Sequence, residues 1–95
     1  MAPHTIESFG AQDIDFCCPA PRAQSVFLMG DFNQWNPTSL PMKRRFDGSW
    51  WLQMSLEGGY HGYLFVVDGK EMLDPNAMCV NRPGRREKVS LIALT

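Results

Sequence analysis

The chain has 95 residues, a formal net charge of -1 and an ordinary globular composition, 44% hydrophobic and 20% charged. This length suits one domain with a single core and is too short for a catalytic barrel of roughly 250 residues. The near-neutral charge gives no overall attraction to nucleic acid or to an anionic membrane, so neither is an expected partner.

The cysteines and the N-terminus indicate the cellular compartment, and the cysteines and histidines bear on metal binding. The cysteines are Cys17, Cys18 and Cys79, and an odd count leaves at least one thiol unpaired. The N-terminus has no signal-peptide pattern, and no apolar run approaches the ~20 residues of a membrane helix. We therefore expect a cytoplasmic protein with reduced thiols, and one of the adjacent pair Cys17 and Cys18 should be buried. His4 and His61 stand in no paired ligand motif, so no metal or cofactor is predicted.

Apolar residues recur with the two-residue period of strands along the whole chain. In chain order, strands are predicted over residues 14–18, 26–29, 42–46, 50–56, 60–67 and 89–94. No segment combines helical spacing with a capping residue. Short strands separated by Asp-Gly and Gly-Gly turns predict an all-β sandwich of antiparallel strands.

Alternation of side chains along the strands predicts the core. Its expected members are Trp50, Leu52, Met54, Phe65 and Val67. The strand over residues 60–67 is apolar on both sides, because Leu64 and Val66 lie opposite Phe65. One face of an antiparallel sheet is commonly solvated, so this pattern predicts an exposed apolar face at Leu64 and Val66. Such a face would contact a protein partner or a second copy in a homodimer.

The segment 25–36 gives the strongest functional signal. It begins as an apolar strand, turns sharply at Gly30 and ends with Trp35 among amide side chains. A flat indole stacks on a sugar ring, and amides such as Asn33 satisfy sugar hydroxyls. The alternative is that Trp35 closes the hydrophobic core at the edge of a sheet.

Several motifs in a fixed order carry a family resemblance. They are G-D-F-N-Q-W at 30–35, D-G-S-W at 47–50, Y-L-F-V-V-D-G at 63–69 and D-P at 74–75. The chain resembles carbohydrate-binding module family 48 from about Asp15 to Leu94. That family includes the glycogen-binding domains of AMP-activated protein kinase β-subunits and the early-set domains of branching and debranching enzymes. The resemblance implies an immunoglobulin-like (early-set) sandwich and, for many members, binding of α-1,4-linked glucans.

The same resemblance implies particular site residues. The family's first platform tryptophan matches Trp35, and its amide-rich turn matches Asn33. Where the family usually has a second platform tryptophan, this chain has Glu71. Where the family often has a lysine in the preceding strand, this chain has Leu64. The segment from Arg82 to Arg86, which includes Arg85, lies in the loop that completes the sugar site in relatives, where a guanidinium can donate to hydroxyls.

Other aromatic residues could replace the missing ring. Alternation puts Trp51 on the side opposite Trp50, and Tyr60 begins a strand. The sequence does not say whether either ring lies beside Trp35, and Trp51 could instead cover the core edge or an interface. The predicted carbohydrate-binding residues are Trp35, Asn33, Trp51 and Arg85.

No catalytic constellation is evident. Asp47, Asp68 and Asp74 each stand beside Gly or Pro, where Asp serves turn geometry, and no facing pair of carboxylates suits a glycosidase. We expect a single module over residues 9–95, a flexible tail over residues 1–8, and a non-enzymatic protein. Its predicted function is weak binding of glycogen, starch or a malto-oligosaccharide. The alternative is a regulatory or structural interaction domain that has lost useful sugar affinity.

Overall fold

The computed structural model describes residues 11–82, 84 and 87–95. In this part of the chain the strands are β1 (Ala11–Cys18), β2 (Val26–Gly30), β3 (Lys43–Arg44), β4 (Trp50–Glu57), β5 (Gly59–Val67), β6 (Lys70–Met72), β7 (Met78–Asn81) and β8 (Lys88–Leu94). A single 3-10 turn over Asp31–Asn33 follows β2. The all-β prediction is confirmed. The short strands β6 and β7 were not predicted, and the expected tail lies outside the described residues.

Two antiparallel sheets form the sandwich. The smaller sheet has the order β1-β4-β3, and the larger has the order β2-β5-β8-β7 with β6 beside β5. One edge of β5 pairs with β2, while the other edge pairs with β8 along its first half and with β6 along its second. The chain crosses from one sheet to the other between β4 and β5. This long central strand therefore positions most of the larger sheet.

The main core lies between the two sheets. It contains Phe16 and Cys18 from β1, Trp50 and Leu56 from β4, Val26 and Leu28 from β2, and Tyr63 and Phe65 from β5. The rings of Phe16 and Tyr63 meet edge to face across the sandwich, with centroids 4.9 Å apart. The predicted core is confirmed, with Leu52, Met54 and Val67 partly buried against it.

A polar network is enclosed beside this core. The Tyr63 hydroxyl donates to Oδ2 of Asp74 at 2.6 Å, and the backbone N–H of Asp74 donates to the fully buried Ser90 hydroxyl at 2.8 Å. Burial, together with the nearby Asp74 carboxylate, raises the pKa of Tyr63. All three cysteines are free, with Cys18 buried and Cys17 exposed. Burial, with Asp74 adding to it, raises the pKa of Cys18 to about 11.

The opposite face of the larger sheet carries a second apolar cluster, which we call the outer cluster. Its buried members are Met29, Leu64, Val66 and Val89, covered by Phe27, Trp35 and Val80. Leu64 and Val66 are only 3% and 6% exposed, so the prediction that they form an open face is wrong. Side chains of the chain itself, among them Trp35 from the turn after β2, cover this face. The observation that suggested a partner or homodimer through Leu64 and Val66 is thereby removed.

Candidate functional site

A tight turn at the end of β2 presents Trp35 on the outer face of the larger sheet. A Cβ atom at Gly30 would lie 2.5 Å from the Phe32 ring and 2.7 Å from the Gly62 carbonyl oxygen, so only glycine fits there. Gln34 and Trp35 both adopt φ of 57°, in the left-handed region. Such a conformation costs on the order of 1–3 kcal/mol for a non-glycine residue and is uncommon for a bulky one. The turn therefore holds Trp35 in a strained position.

The Asn33 side chain stabilises this turn. Its Oδ1 accepts a hydrogen bond from the Gly30 N–H at 3.0 Å, and its Nδ2 donates to the Asn36 carbonyl and the Ser39 hydroxyl, both at 2.9 Å. Both amide hydrogens are thus used within the turn. Asn33 positions Trp35 through the backbone, and its predicted contact with a sugar stays a prediction.

Asp31 fixes the same turn to β5. Its Oδ2 accepts the Gly62 N–H at 2.9 Å, and its Oδ1 lies 3.0 Å from Nδ1 of His61. The other ring nitrogen of His61 lies 2.8 Å from the Glu57 carbonyl oxygen. Burial alone lowers the pKa of His61, but the hydrogen bonds to Glu57 and Asp31 outweigh it, so the pKa lies above its ordinary value. Protonated His61 satisfies both acceptors at once.

The indole of Trp35 rests on β5 where that strand has no side chain. A Cβ atom at Gly62 would lie 3.3 Å from the Trp35 ring and 3.2 Å from Val89. On the ring itself, the guanidinium carbon of Arg82 lies 4.0 Å from the ring centroid. Trp35 is consequently half-buried, with its ring edge on the sheet and a cation over its face.

A cavity of about 460 Å³ opens beside this ring. Its polar wall is formed by Asp31, Asn81 and Arg82, and Tyr60 shares the lining with Trp35. The floor consists of Gly62, Val80, Val89 and Leu91. Tyr60 is 76% exposed, so its ring is open to solvent. Flat rings beside a few hydrogen-bonding groups form a surface suited to a sugar.

The structure separates the predicted site residues. Trp51 lies on the outer face of the smaller sheet, opposite Cys17 and Lys43 in register, with the Arg45 guanidinium carbon 5.3 Å from its ring centroid. It is not brought beside Trp35, because β4 and β5 belong to different sheets. Arg85 lies outside the described residues, and its role stays a prediction.

Residues outside the predicted site set complete the pocket. Asp31 was not singled out from the sequence, whereas Arg82 belongs to the arginine-rich segment 82–86, and Tyr60, named only as an alternative, joins Trp35. The available signal was alternation along β5, which puts Tyr60, Gly62 and Leu64 on one side. Alternation alone could not show that the turn after β2 covers that side.

Glu71 occupies the position at which the family has its second platform tryptophan. Glu71 pairs with Val66 in the β5–β6 register and is exposed. Directly paired residues share a face, so Glu71 lies on the same outer face as Trp35. It does not line the pocket, because Val66 is four residues along β5 from Gly62, roughly 13 Å.

A larger and more open depression of about 680 Å³ lies at the β3–β4 hairpin, lined by Arg44, Arg45, Phe46 and Asp47. The Arg44 guanidinium donates to the backbone carbonyls of Pro21 and Ala23 at 2.6 and 3.4 Å. Phe46 is the only ring in that lining. The hairpin depression therefore lacks the paired rings of the Trp35 pocket.

Within residues 11–82, 84 and 87–95, no three His, Cys, Asp or Glu side chains are grouped so that they could hold a metal ion. In the same residues, no helix has the length and apolarity needed to cross a membrane.

The antiparallel sandwich is consistent with the class of carbohydrate-binding modules. The family described as carbohydrate-binding module 48 (isoamylase N-terminal domain) matches residues 3–80, and the chain belongs to this family. The resemblance inferred from the motifs is thereby confirmed.

The chain is also similar to part of several 1,4-alpha-glucan branching enzymes, each named GlgB. It is 36% identical over 96 residues to that of Aquifex aeolicus, covering 94% of this chain and 15% of the relative. With the enzyme of Bacillus caldolyticus the identity is 38% over 80 residues, covering 78% and 12%. With that of Lactobacillus acidophilus it is 44% over 71 residues, covering 68% and 11%. The chain thus spans 15% or less of the length of these relatives.

Proposed function

We propose that this protein binds α-1,4-linked glucan in the pocket beside Trp35, without acting on it chemically. The observation that carries the proposal is the strained turn that places Trp35 next to Tyr60 in a cavity of about 460 Å³. Strain in a backbone persists where the surrounding contacts over-determine it, and such sites are often functional. The ligand class is supported by the family and by the similarity to 1,4-alpha-glucan branching enzymes.

The pocket suits a sugar in two ways. The ring of Trp35 supplies an apolar surface for the C–H groups of a pyranose, and the neighbouring Asp31 carboxylate and Asn81 amide can bond its hydroxyls. Because the Arg82 guanidinium lies over the Trp35 ring in the free protein, it must move aside before a sugar stacks there. Within a longer glucan-acting protein, the same binding would hold the polymer near a separate catalytic domain.

We expect the affinity to be low. Glu71 stands where the family has a second platform tryptophan, and each stacked ring is worth ~1–3 kcal/mol by analogy with base stacking. A dissociation constant of ~0.1–1 mM for a malto-oligosaccharide, equivalent to ~4–5.5 kcal/mol, is consistent with one tryptophan platform.

Calorimetric titration with maltoheptaose tests the proposal, with Trp35→Ala and Trp51→Ala as a matched pair. Both tryptophans are half-buried and carry a guanidinium over the ring, but they lie on different sheets. We expect binding to be lost in Trp35→Ala and kept in Trp51→Ala. Thermal melting of both variants shows that each is folded at the temperature of the titration. Loss in Trp51→Ala alone would place the sugar on the smaller sheet.

Glu71→Trp tests the missing platform. A tryptophan at position 71 would lie on the same outer face and should strengthen binding of a chain long enough to span both rings. If the wild-type protein gives no heat and is not retarded by glycogen in a gel, while Glu71→Trp binds, sugar affinity has decayed and the interaction-domain alternative takes its place. If neither binds, the sugar face has been assigned wrongly.

A further inference from the structure

Tyr60 is a large aromatic side chain left open at a functional surface. Its exposed fraction is 76%, whereas Trp35 in the same cavity is half-buried and covered by Arg82. Its cross-strand partner in β8 is Ala93, which is too small to cover a phenol ring. On the other edge of β5, pairing with β2 ends at Tyr63, so no strand within the described residues flanks Tyr60 there.

The geometry of β5 sets Tyr60 beside Trp35. Residues two apart on a strand share a face and lie about 7 Å apart, so Tyr60 lies on the outer face two residues before Gly62. The Trp35 ring rests on Gly62, which has no side chain to separate the two aromatic rings. Both rings consequently line one cavity, with the Asp31 and Asn81 side chains at its wall.

We propose that Tyr60 is a sugar-stacking residue and supplies the pocket's second ring for a neighbouring glucose unit of the same α-glucan chain. This inference rests on the proposed function. Tyr60 is the accessible ring of the free protein, so a glucan meets it first and then reaches Trp35 as the Arg82 guanidinium leaves. An open tyrosine loses little conformational entropy on stacking, because only two side-chain torsions are fixed.

Titration of Tyr60→Ala with maltoheptaose tests the inference, beside wild type, Tyr60→Phe and Phe46→Ala. Stacking of one ring corresponds to a loss of affinity of about 5-fold or more in Tyr60→Ala. Tyr60→Phe keeps the ring and should bind within about 2-fold of wild type. Phe46→Ala removes a ring that is even more exposed, at the distant hairpin, and should have no effect. Because Tyr60 is exposed, none of these changes should lower the melting temperature appreciably.

The outcomes separate this inference from the proposed function. If wild type binds maltoheptaose and Tyr60→Ala binds it with the same affinity, the stacking role of Tyr60 is overturned, while the proposal of a Trp35 pocket is unaffected. An equal loss in Tyr60→Phe and Tyr60→Ala shows that the hydroxyl acts and overturns stacking. If wild type itself fails to bind maltoheptaose and glycogen, both proposals fall together.

Discussion

The guanidinium carbon of Arg82 lies 4.0 Å from the ring centroid of Trp35. The tryptophan that the turn after β2 presents is therefore covered in the free protein. A cation–π contact at an exposed site is worth about 0.5–1 kcal/mol, less than the ~1–3 kcal/mol of a stacked ring. A sugar can displace the guanidinium, but part of the stacking energy is used in doing so.

Arg82→Ala should accordingly bind maltoheptaose about 2- to 5-fold more tightly than wild type, which is the cation–π energy expressed as a ratio. Arg45→Ala is the matched control, because it removes the guanidinium that lies over Trp51 on the smaller sheet. Calorimetric titration of wild type, Arg82→Ala and Arg45→Ala with maltoheptaose measures these affinities. Weaker binding in Arg82→Ala would mean that Arg82 contacts the sugar instead of competing with it.

Leu64→Lys should destabilise the fold. Leu64 is 3% exposed in the outer cluster, so a lysine there would bury an ammonium group among apolar side chains. We expect a loss of about 3 kcal/mol or more in the free energy of unfolding. Urea denaturation measures this loss, with Ala93→Lys, an exposed position on β8, as a control that changes little. If Leu64→Lys is as stable to urea as wild type, the outer face at Leu64 must be open to solvent.

Trp50→Ala tests the main core. Trp50 is 7% exposed, packs between the sheets, and donates from Nε1 to the Ala20 carbonyl at 2.9 Å. Its removal should cost ~3–5 kcal/mol, comparable with the whole stability of a small domain. Phe46→Ala, which removes a fully exposed ring, should melt like wild type. Equal melting temperatures for the two variants would contradict the facing assigned to β4.

His61 should make stability depend on pH. Its pKa is raised in the folded protein because the hydrogen bonds to the Glu57 carbonyl and the Asp31 carboxylate outweigh the effect of burial. Folding is therefore favoured by protonation: the added stability is complete below the unfolded pKa of about 6.5 and is lost as pH rises through the folded pKa.

The effect should remain below about 1 kcal/mol, since the Asp31 carboxylate is partly exposed and screened. Urea midpoints at pH 6 and pH 8 measure it, and His61→Gln should show a smaller difference between the two pH values than wild type. An unchanged difference in His61→Gln would assign the pH dependence to another group.

The sequence determined the local parts of this protein. Two-residue alternation depends only on backbone geometry, so it identified the core faces of β4 and β5 through Trp50 and Phe65. The ordered motifs identified the family, and the turn at Gly30 indicated that Trp35 would be presented at the end of β2. Short edge strands such as β6 escaped detection because three residues with exposed Lys70 and Glu71 carry no periodic signal.

Only the tertiary structure decided which surfaces meet. Alternation showed that Leu64 lies opposite Phe65, but its burial depends on the chain covering the outer face with residues such as Trp35. Likewise, the sequence favoured Trp51 over Tyr60 as a further sugar-binding ring, but β4 and β5 belong to different sheets, so Tyr60 lies beside Trp35 and Trp51 lies on the other sheet. Contacts between residues distant in sequence depend on sheet pairing and on the path of loops, which local periodicity does not encode.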